Sequence, residues 1–157
     1  GEYDVNARVY PPLRREEDVQ AIKEGLRDGT IDAIASDHAP HAITDKEVEF
    51  EMAATGMIGL ETSLGLGLRL VDEGVLNLGQ LIAKMSANPA AVLKVPGGTL
   101  ALGSPADVTV IDLNQNWTVD KDRFRSKSRN TPFHGWAIRG KAVLTIKAGE
   151  ITYSDLD

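Results

Sequence analysis

In Ser36-Asp37-His38-Ala39-Pro40-His41 one carboxylate and two imidazoles follow directly on an apolar run. Carboxylates and imidazoles bind divalent metals through oxygen and nitrogen, and imidazoles carry protons near neutral pH. The chain has no cysteine, which excludes a disulfide framework, a thiolate nucleophile and a cysteine-held zinc. Any metal must therefore be held by His, Asp or Glu. On spacing alone, Asp37 and His41 leave two readings open. An aspartate after a strand also serves as a helix cap or turn residue, and a lone imidazole is more often structural than a ligand.

The elements around this hexapeptide suit a site at the mouth of a parallel barrel. Arg15 to Asp28 opens with Glu16, Glu17 and Asp18, spaces Val19, Ile22 and Leu26 along one face and stops at Gly29, which predicts an amphipathic helix. Ile31 to Ser36 is β-prone without strict alternation, as expected of a strand covered on both faces, and it delivers Asp37 to its C-terminal end. From Ala39 to Gly56 the composition predicts a long loop, and from Ile58 to Val71 a buried, Leu-rich helix with Glu61 near its start. Two short helices are signalled next, one capped by Asn77 and one capped by Asn88 with Pro89 at its first helical position.

Pro96-Gly97-Gly98 closes the helical half, and the texture then turns to β. Val108 to Ile111, Trp136 to Ile138, Ala142 to Lys147 and Ile151 to Tyr153 read as short strands punctuated by Gly103, Gly140 and Gly149. The expected division is residues 1–98 and residues 99–157. Trp117, Trp136 and His134 are assigned to the core of the β segment or its edge.

Asp37-His38-Ala39-Pro40-His41 resembles the strand-8 signature of the dihydroorotases, within the amidohydrolase superfamily. Further segments agree, in order along the chain. Pro11-Pro12-Leu13-Arg14 is similar to the family's Asn-Pro-Pro-Leu-Arg. Asp28-Gly29-Thr30-Ile31-Asp32 resembles its lead into strand 8, and Gly56-Met57-Ile58-Gly59-Leu60-Glu61-Thr62 its Gly-x-x-Gly-Leu-Glu-Thr. Gly103-Ser104-Pro105-Ala106-Asp107-Val108 looks like its Gly-x-x-Ala-Asp segment, and Asn130-Thr131-Pro132-Phe133-His134-Gly135 is a fifth match. Hydantoinases and allantoinases share the barrel and the Ala-Asp segment but typically lack the histidine found here as His41.

The resemblance implies an α/β fold: the last strands and helices of a metal-dependent hydrolase TIM barrel, followed by a small β-sandwich-type segment. It implies that Asp37 binds one metal of a zinc pair and takes a proton from the metal-bound hydroxide, passing it on to the leaving ring nitrogen. It implies that His41 hydrogen-bonds the substrate carboxylate and that Thr55 and Gly56 meet the pyrimidine ring through backbone groups. His38 is read as a supporting or structural neighbour. Tyr10 departs from the pattern, because the family has an asparagine there whose amide helps hold the substrate, and a phenol cannot copy that donor and acceptor pair.

The implied reaction is the reversible, zinc-dependent conversion of dihydroorotate to N-carbamoyl-L-aspartate in pyrimidine biosynthesis. The family's other metal ligands, a His-x-His on strand 1, a bridging carboxylated lysine or aspartate on strand 4 and histidines on strands 5 and 6, have no counterpart among the three histidines of this chain. A complete barrel takes about 250 residues. The expectation is thus a C-terminal portion that is inactive alone and needs a missing N-terminal barrel portion or self-association in a homo-oligomer. A non-catalytic subunit scaffolding an aspartate carbamoyltransferase is the alternative that Tyr10 favours, and another cyclic amidohydrolase, a hydantoinase or allantoinase, is a third.

Other classes are disfavoured by composition. A net charge of -6, a pI near 5.1 and no Lys/Arg run longer than a residue or two argue against nucleic acid or an anionic membrane as partner. Apolar runs fall short of the ~18 residues that a spanning helix needs. Gly1-Glu2-Tyr3-Asp4 lacks the basic and apolar regions of a signal peptide, so the expected location is cytoplasmic.

Overall fold

The computed structural model describes residues 3–156; Gly1 and Glu2, where the leader reading begins, lie outside the described residues. Helix α1 (Glu16–Asp28) carries Glu16, Glu17 and Asp18 in the first turn, where the helix dipole favours them, and the Asp18 carboxylate accepts the Arg15 N–H at 3.2 Å. It ends at Gly29, whose φ of 89° lies in the left-handed region that glycine adopts without a Cβ penalty. Of the expected apolar face only Leu26 is buried. Val19 and Ile22 are 37% and 54% exposed, because α1 meets the rest of the chain through its last turns alone.

Ile31 to Ser36 follows as expected but has no ladder partner among the described residues, so it is not a paired strand. A parallel barrel strand gets its hydrogen bonds from neighbours on both sides. Here the anchors come from a single residue far along the chain: Ile34 N–H donates to the Lys84 carbonyl at 2.8 Å, and the buried Lys84 ammonium donates to the Ile31 carbonyl.

The expected loop from residue 39 contains one short helix, α2 (Ile43–Lys46). Helix α3 (Ser63–Asp72) starts five residues later than the apolar run suggests, because Ile58 and Gly59 are engaged in backbone contacts with other segments. Helix α4 (Leu78–Ile82) has the expected cap: Asn77 Oδ1 accepts from Gln80 N–H at 2.9 Å, and Gln80 returns the bond to Asn77 N–H at 2.8 Å.

The second cap expectation is corrected. A π-helical turn (Ala83–Ala87) carries the chain from α4 into α5 (Asn88–Leu93), so Asn88 lies inside a continuous helical path. Pro89 has no N–H to give, and a widened turn accommodates that loss without a break. The Asn88 side chain instead donates to the Asp32 carbonyl at 2.8 Å, tying the helix to the segment that leads to Asp37.

Three strands form one antiparallel sheet in the order β1-β2-β3: β1 (Val108–Thr118), β2 (Ala137–Lys147) and β3 (Glu150–Ser154). Trp136 to Ile138 and Ala142 to Lys147, expected as separate strands, are nearly all one strand that passes through Gly140. The glycine sits in a bulge at φ 83°, opposite the extra residues of β1 between Asp112 and Asn116. Its missing side chain lets Leu68 of α3 approach: a Cβ there would stand 2.1 Å from Leu68 Cδ1. Helix α3 therefore packs directly on β2. The core is Leu26, Leu68, Val75, Leu76 and Leu81, with Ile31, Ile34 and Leu113 against it. Each such fully buried aliphatic side chain contributes roughly 1.5–3 kcal/mol.

Trp136, just ahead of the central strand β2, is 42% exposed and meets Phe133 edge-on at 5.2 Å. Trp117 Nε1–H donates to the Gly140 carbonyl at 3.1 Å, and His134 Nδ1 accepts the Lys121 N–H at 3.3 Å. All three belong to the β segment, as the sequence suggests.

Candidate functional site

Asp37 stands at the end of the extended segment 31–36 with its side chain exposed, and Oδ1 accepts the N–H of His38 at 2.8 Å. The backbone behind it is tightly covered. Gly59 lies against the Asp37 carbonyl, and a Cβ on Gly59 would stand 2.4 Å from that oxygen. His38 is half-buried, and its Nδ1 accepts the Gly59 N–H at 3.4 Å. The carboxylate is therefore presented while its neighbour is used to fasten the loop.

The next residues are strapped to a second segment. Ala39 N–H donates to the Met57 carbonyl at 3.0 Å, and the Nε2 of His41 lies 3.1 Å from the Thr55 carbonyl. A carbonyl can only accept, so Nε2 carries the proton in that bond, and Nδ1 is the nitrogen left for other partners. Gly56 has φ 140°, and a Cβ there would fall 2.5 Å from Ala39 Cβ and 3.1 Å from His41 Nε2. Only glycine lets the two loops meet. Thus Asp37, His41, Thr55 and Gly56 are brought together by two short segments, residues 37–41 and 54–59.

Tyr10 is 85% exposed. Its neighbourhood joins the same frame through the backbone, since Gly56 N–H donates to the Arg8 carbonyl at 2.9 Å.

Sequence reasoning missed two residues of this frame. Lys46 is 3% exposed, and its ammonium donates to the Ala54 carbonyl at 2.8 Å and the Gly56 carbonyl at 3.1 Å. Burial, and then the nearby Arg8, hold Lys46 below the usual lysine range. Asn130, 4% exposed, donates to the carbonyls of Ala39 at 2.9 Å and Gly56 at 3.2 Å, and its Oδ1 accepts from His41 N–H at 3.3 Å. For Lys46 the charged loop sequence gave no signal, while Asn130 opens the fifth family-like segment.

Two further motif residues serve architecture. The Glu61 carboxylate accepts the N–H groups of Arg125 at 2.9 Å and Ser126 at 3.1 Å. Asp107 accepts the Ala148 N–H at 2.7 Å and pairs with Lys147. Ala148 and Gly149 have φ of 50° and 85° in the turn between β2 and β3, so Asp107 pins a hairpin whose backbone is left-handed at both central positions.

Among the described residues no cluster of three or more His, Cys, Asp or Glu side chains could hold a metal. Asp37 alone supplies one exposed carboxylate, and the donor set present does not fit a resident zinc pair. A cleft of about 1100 Å³ lies between Glu61, Gln115, Arg125, Lys141 and Tyr153, and neither Asp37 nor His41 lines it. No helix among the described residues is long and apolar enough to cross a membrane.

The amidohydrolase family model matches residues 6–152, and the chain belongs to that family. It is 55% identical over 153 residues to the dihydroorotase of Syntrophus aciditrophicus, covering 98% of this chain and 36% of that protein. It is 57% identical over 151 residues to the dihydroorotase of Geobacter metallireducens, covering 96% of this chain and 36% of that protein. The chain therefore spans about a third of the length of the curated relatives it matches. Among solved structures, L-hydantoinase (dihydropyrimidinase) from Arthrobacter aurescens superposes with a TM-score of 0.90 at 34% identity, over 99% of this chain and 36% of that one. D-hydantoinase (dihydropyrimidinase) from Thermus sp. superposes with a TM-score of 0.86 at 24% identity over 96% of this chain and 34% of that one, a likeness of fold alone.

Proposed function

We propose that these residues belong to a dihydroorotase, which interconverts dihydroorotate and N-carbamoyl-L-aspartate by opening and closing a cyclic amide in pyrimidine biosynthesis, in the cytoplasm. The observation that carries the reading is the pairing of Asp37 with His41 in one loop, four residues apart, with His41 bonded to Thr55 beside Gly56. An exposed carboxylate at that point is free to bind a metal and to accept a proton. With Nε2–H given to Thr55, the His41 imidazole donates to a carboxylated substrate through Nδ1 when the ring is protonated, and that bond is charge-assisted. The backbone at Thr55 and Gly56 offers amide groups to a pyrimidine ring. Relatives at 55% and 57% identity that are named dihydroorotase favour this substrate over hydantoins, since the hydantoinase likeness stands at 34%.

In this reading residues 1–98 form the closing part of a TIM barrel and residues 99–157 part of a β-sandwich-type domain. The half-exposed Val19 and Ile22 of α1 fit a face that further barrel segments cover. The zinc pair that the resemblance implies takes one carboxylate from Asp37, and its remaining donors have to come from outside this set of residues. When bound, such a pair supplies an activated hydroxide and polarises the amide carbonyl.

The test is turnover by the full-length zinc-loaded protein, with dihydroorotate and an uncharged hydantoin compared side by side. Turnover of dihydroorotate that is abolished by Asp37→Asn supports the reading; turnover of hydantoin alone would assign another cyclic amidohydrolase. Tyr10, where the family has asparagine, favours a second reading, a non-catalytic subunit that scaffolds an aspartate carbamoyltransferase. Zinc-loaded protein that turns over neither substrate but co-purifies with such a partner would establish it.

A further inference from the structure

We propose that Asn130 is a positioning residue for the substrate-facing turn, setting where the His41 ring stands without touching substrate itself; the inference rests on the functional reading above. A carboxamide offers one acceptor oxygen and two donor hydrogens. Asn130 uses all of this capacity on one target. Its Oδ1 accepts the His41 N–H at 3.3 Å, and its Nδ2 donates to Ala39 at 2.9 Å and to Gly56 at 3.2 Å. Its own carbonyl takes the Ile58 N–H at 3.0 Å, and two residues earlier the Ser128 hydroxyl donates to the His41 carbonyl at 2.5 Å. Both backbone polar groups of His41 are thus held by residues 128–130, nearly ninety positions away in sequence.

The two loops that Asn130 joins are the ones whose separation fixes the His41 ring. Nε2 reaches the Thr55 carbonyl at 3.1 Å only because Ala39 and Gly56 are in contact, and Asn130 bridges the carbonyls of those same two residues. Lys46 completes the clamp from within the loop through Ala54 and Gly56. A buried amide with three bonds has little freedom, and removing it takes the partner from the His41 N–H and the Ala39 carbonyl and leaves the Gly56 carbonyl with Lys46 alone. A tie that only joined the helical half to the β segment would affect stability and leave substrate recognition alone. Asn130 spends its bonds on the recognition loop, so the consequence must appear in binding of the carboxylated substrate.

The experiment is steady-state kinetics of the full-length zinc-loaded enzyme with dihydroorotate. Asn130→Ala is expected to raise KM roughly tenfold, a change worth about 1.4 kcal/mol, with a smaller fall in kcat. In the His41→Ala background the same substitution should add nothing further to KM, because Asn130 acts through His41. Asn130→Asp, which keeps the acceptor for His41 N–H and loses both donors, should fall between wild type and Asn130→Ala. A folded, active Asn130→Ala enzyme with unchanged KM overturns the proposal, and so does an equal rise in KM in the His41→Ala background. Should the Asn130 variants not fold, Lys46→Met withdraws the opposite side of the clamp and must raise KM; an unchanged KM there is equally fatal. If the wild-type enzyme does not turn over dihydroorotate, the functional reading fails instead. The ¹⁵N resonances of the His41 ring then decide positioning separately. Wild type should hold one Nε2–H tautomer and Asn130→Asp a mixture, and identical spectra would overturn the role.

Discussion

The α-carbon of Gly59 rests on the backbone carbonyl of Asp37, so close that a Cβ at residue 59 would stand 2.4 Å from that oxygen. Real Cβ atoms do not approach backbone oxygen so closely, and neither partner is a flexible side-chain end. Gly59→Ala must therefore push the end of the Asp37 segment away, and with it the carboxylate. Because a displacement near 1 Å in a reacting group costs on the order of a hundredfold in rate, the full-length enzyme carrying Gly59→Ala should lose about that factor in kcat. Its melting temperature should fall as well, and an enzyme with wild-type kcat would show that the contact does not locate Asp37.

A second glycine couples the two halves of the chain. Gly140 combines φ 83° with a neighbour, Leu68 Cδ1, that leaves no room for a methyl group. Gly140→Ala meets two costs together: about 1–2 kcal/mol for a Cβ in the left-handed region and about 1–3 kcal/mol for overpacking against α3. Urea unfolding should move to lower midpoint by an amount corresponding to roughly 2–5 kcal/mol. Adding Leu68→Ala should recover part of it, since that removes the clash and leaves the backbone strain.

The Asp107 carboxyl is held below the ordinary aspartate range, first by the side-chain hydrogen bond from Lys147 and then by the backbone N–H of Ala148. With a folded-state value below the unfolded one, its contribution to stability is present at neutral pH and is lost as pH falls through the folded value. Asp107→Asn should therefore lower stability at neutral pH and flatten the acid side of the stability curve. Equilibrium unfolding as a function of pH checks this, and a parallel acid limb in both proteins would mean that the pair with Lys147 is without effect. The salt dependence should be marked, because the pair is exposed.

Local signals were legible where the chain decides its structure locally. Helix α1, its stop at Gly29, the Asn77 cap and the β texture after residue 108 follow from caps, dipole and alternation. Asn88 misled because Asn-Pro signals a cap, whereas tertiary contact with Asp32 and a π-helical turn absorbed the proline within a helix. Gly140 misled because a glycine read as a strand break is a bulge that makes room for Leu68. The candidate residues Asp37, His41, Thr55 and Gly56 are legible only through family-like motifs, and the segments that carry them meet in the structure. The clamp by Lys46 and Asn130 is not legible, because it is built from residues 74 and 10 positions from Gly56 whose types carry no chemistry of their own. The apolar side chains of Ile31 to Ser36 suggest a strand, but a ladder depends on neighbours, and among the described residues there is none.

The 157 residues by themselves should hold zinc poorly. A zinc ion at a catalytic site takes about three protein ligands, and the tetrahedral arrangement fails with one. Asp37 is exposed, its Oδ1 is engaged by His38 N–H, and the described residues hold no cluster of three candidate ligands around it. Of the nearby imidazoles, His38 spends Nδ1 on Gly59, and His41 spends Nε2 on Thr55. Purified chain of this length, dialysed against zinc and analysed by elemental mass spectrometry, should retain far less than one zinc per molecule. It should not turn over dihydroorotate, and Asp37→Asn should change neither result. Stoichiometric zinc that disappears in Asp37→Asn would mean that self-association of this chain completes a site. In that case the residues supplying the other ligands must be sought in a second copy.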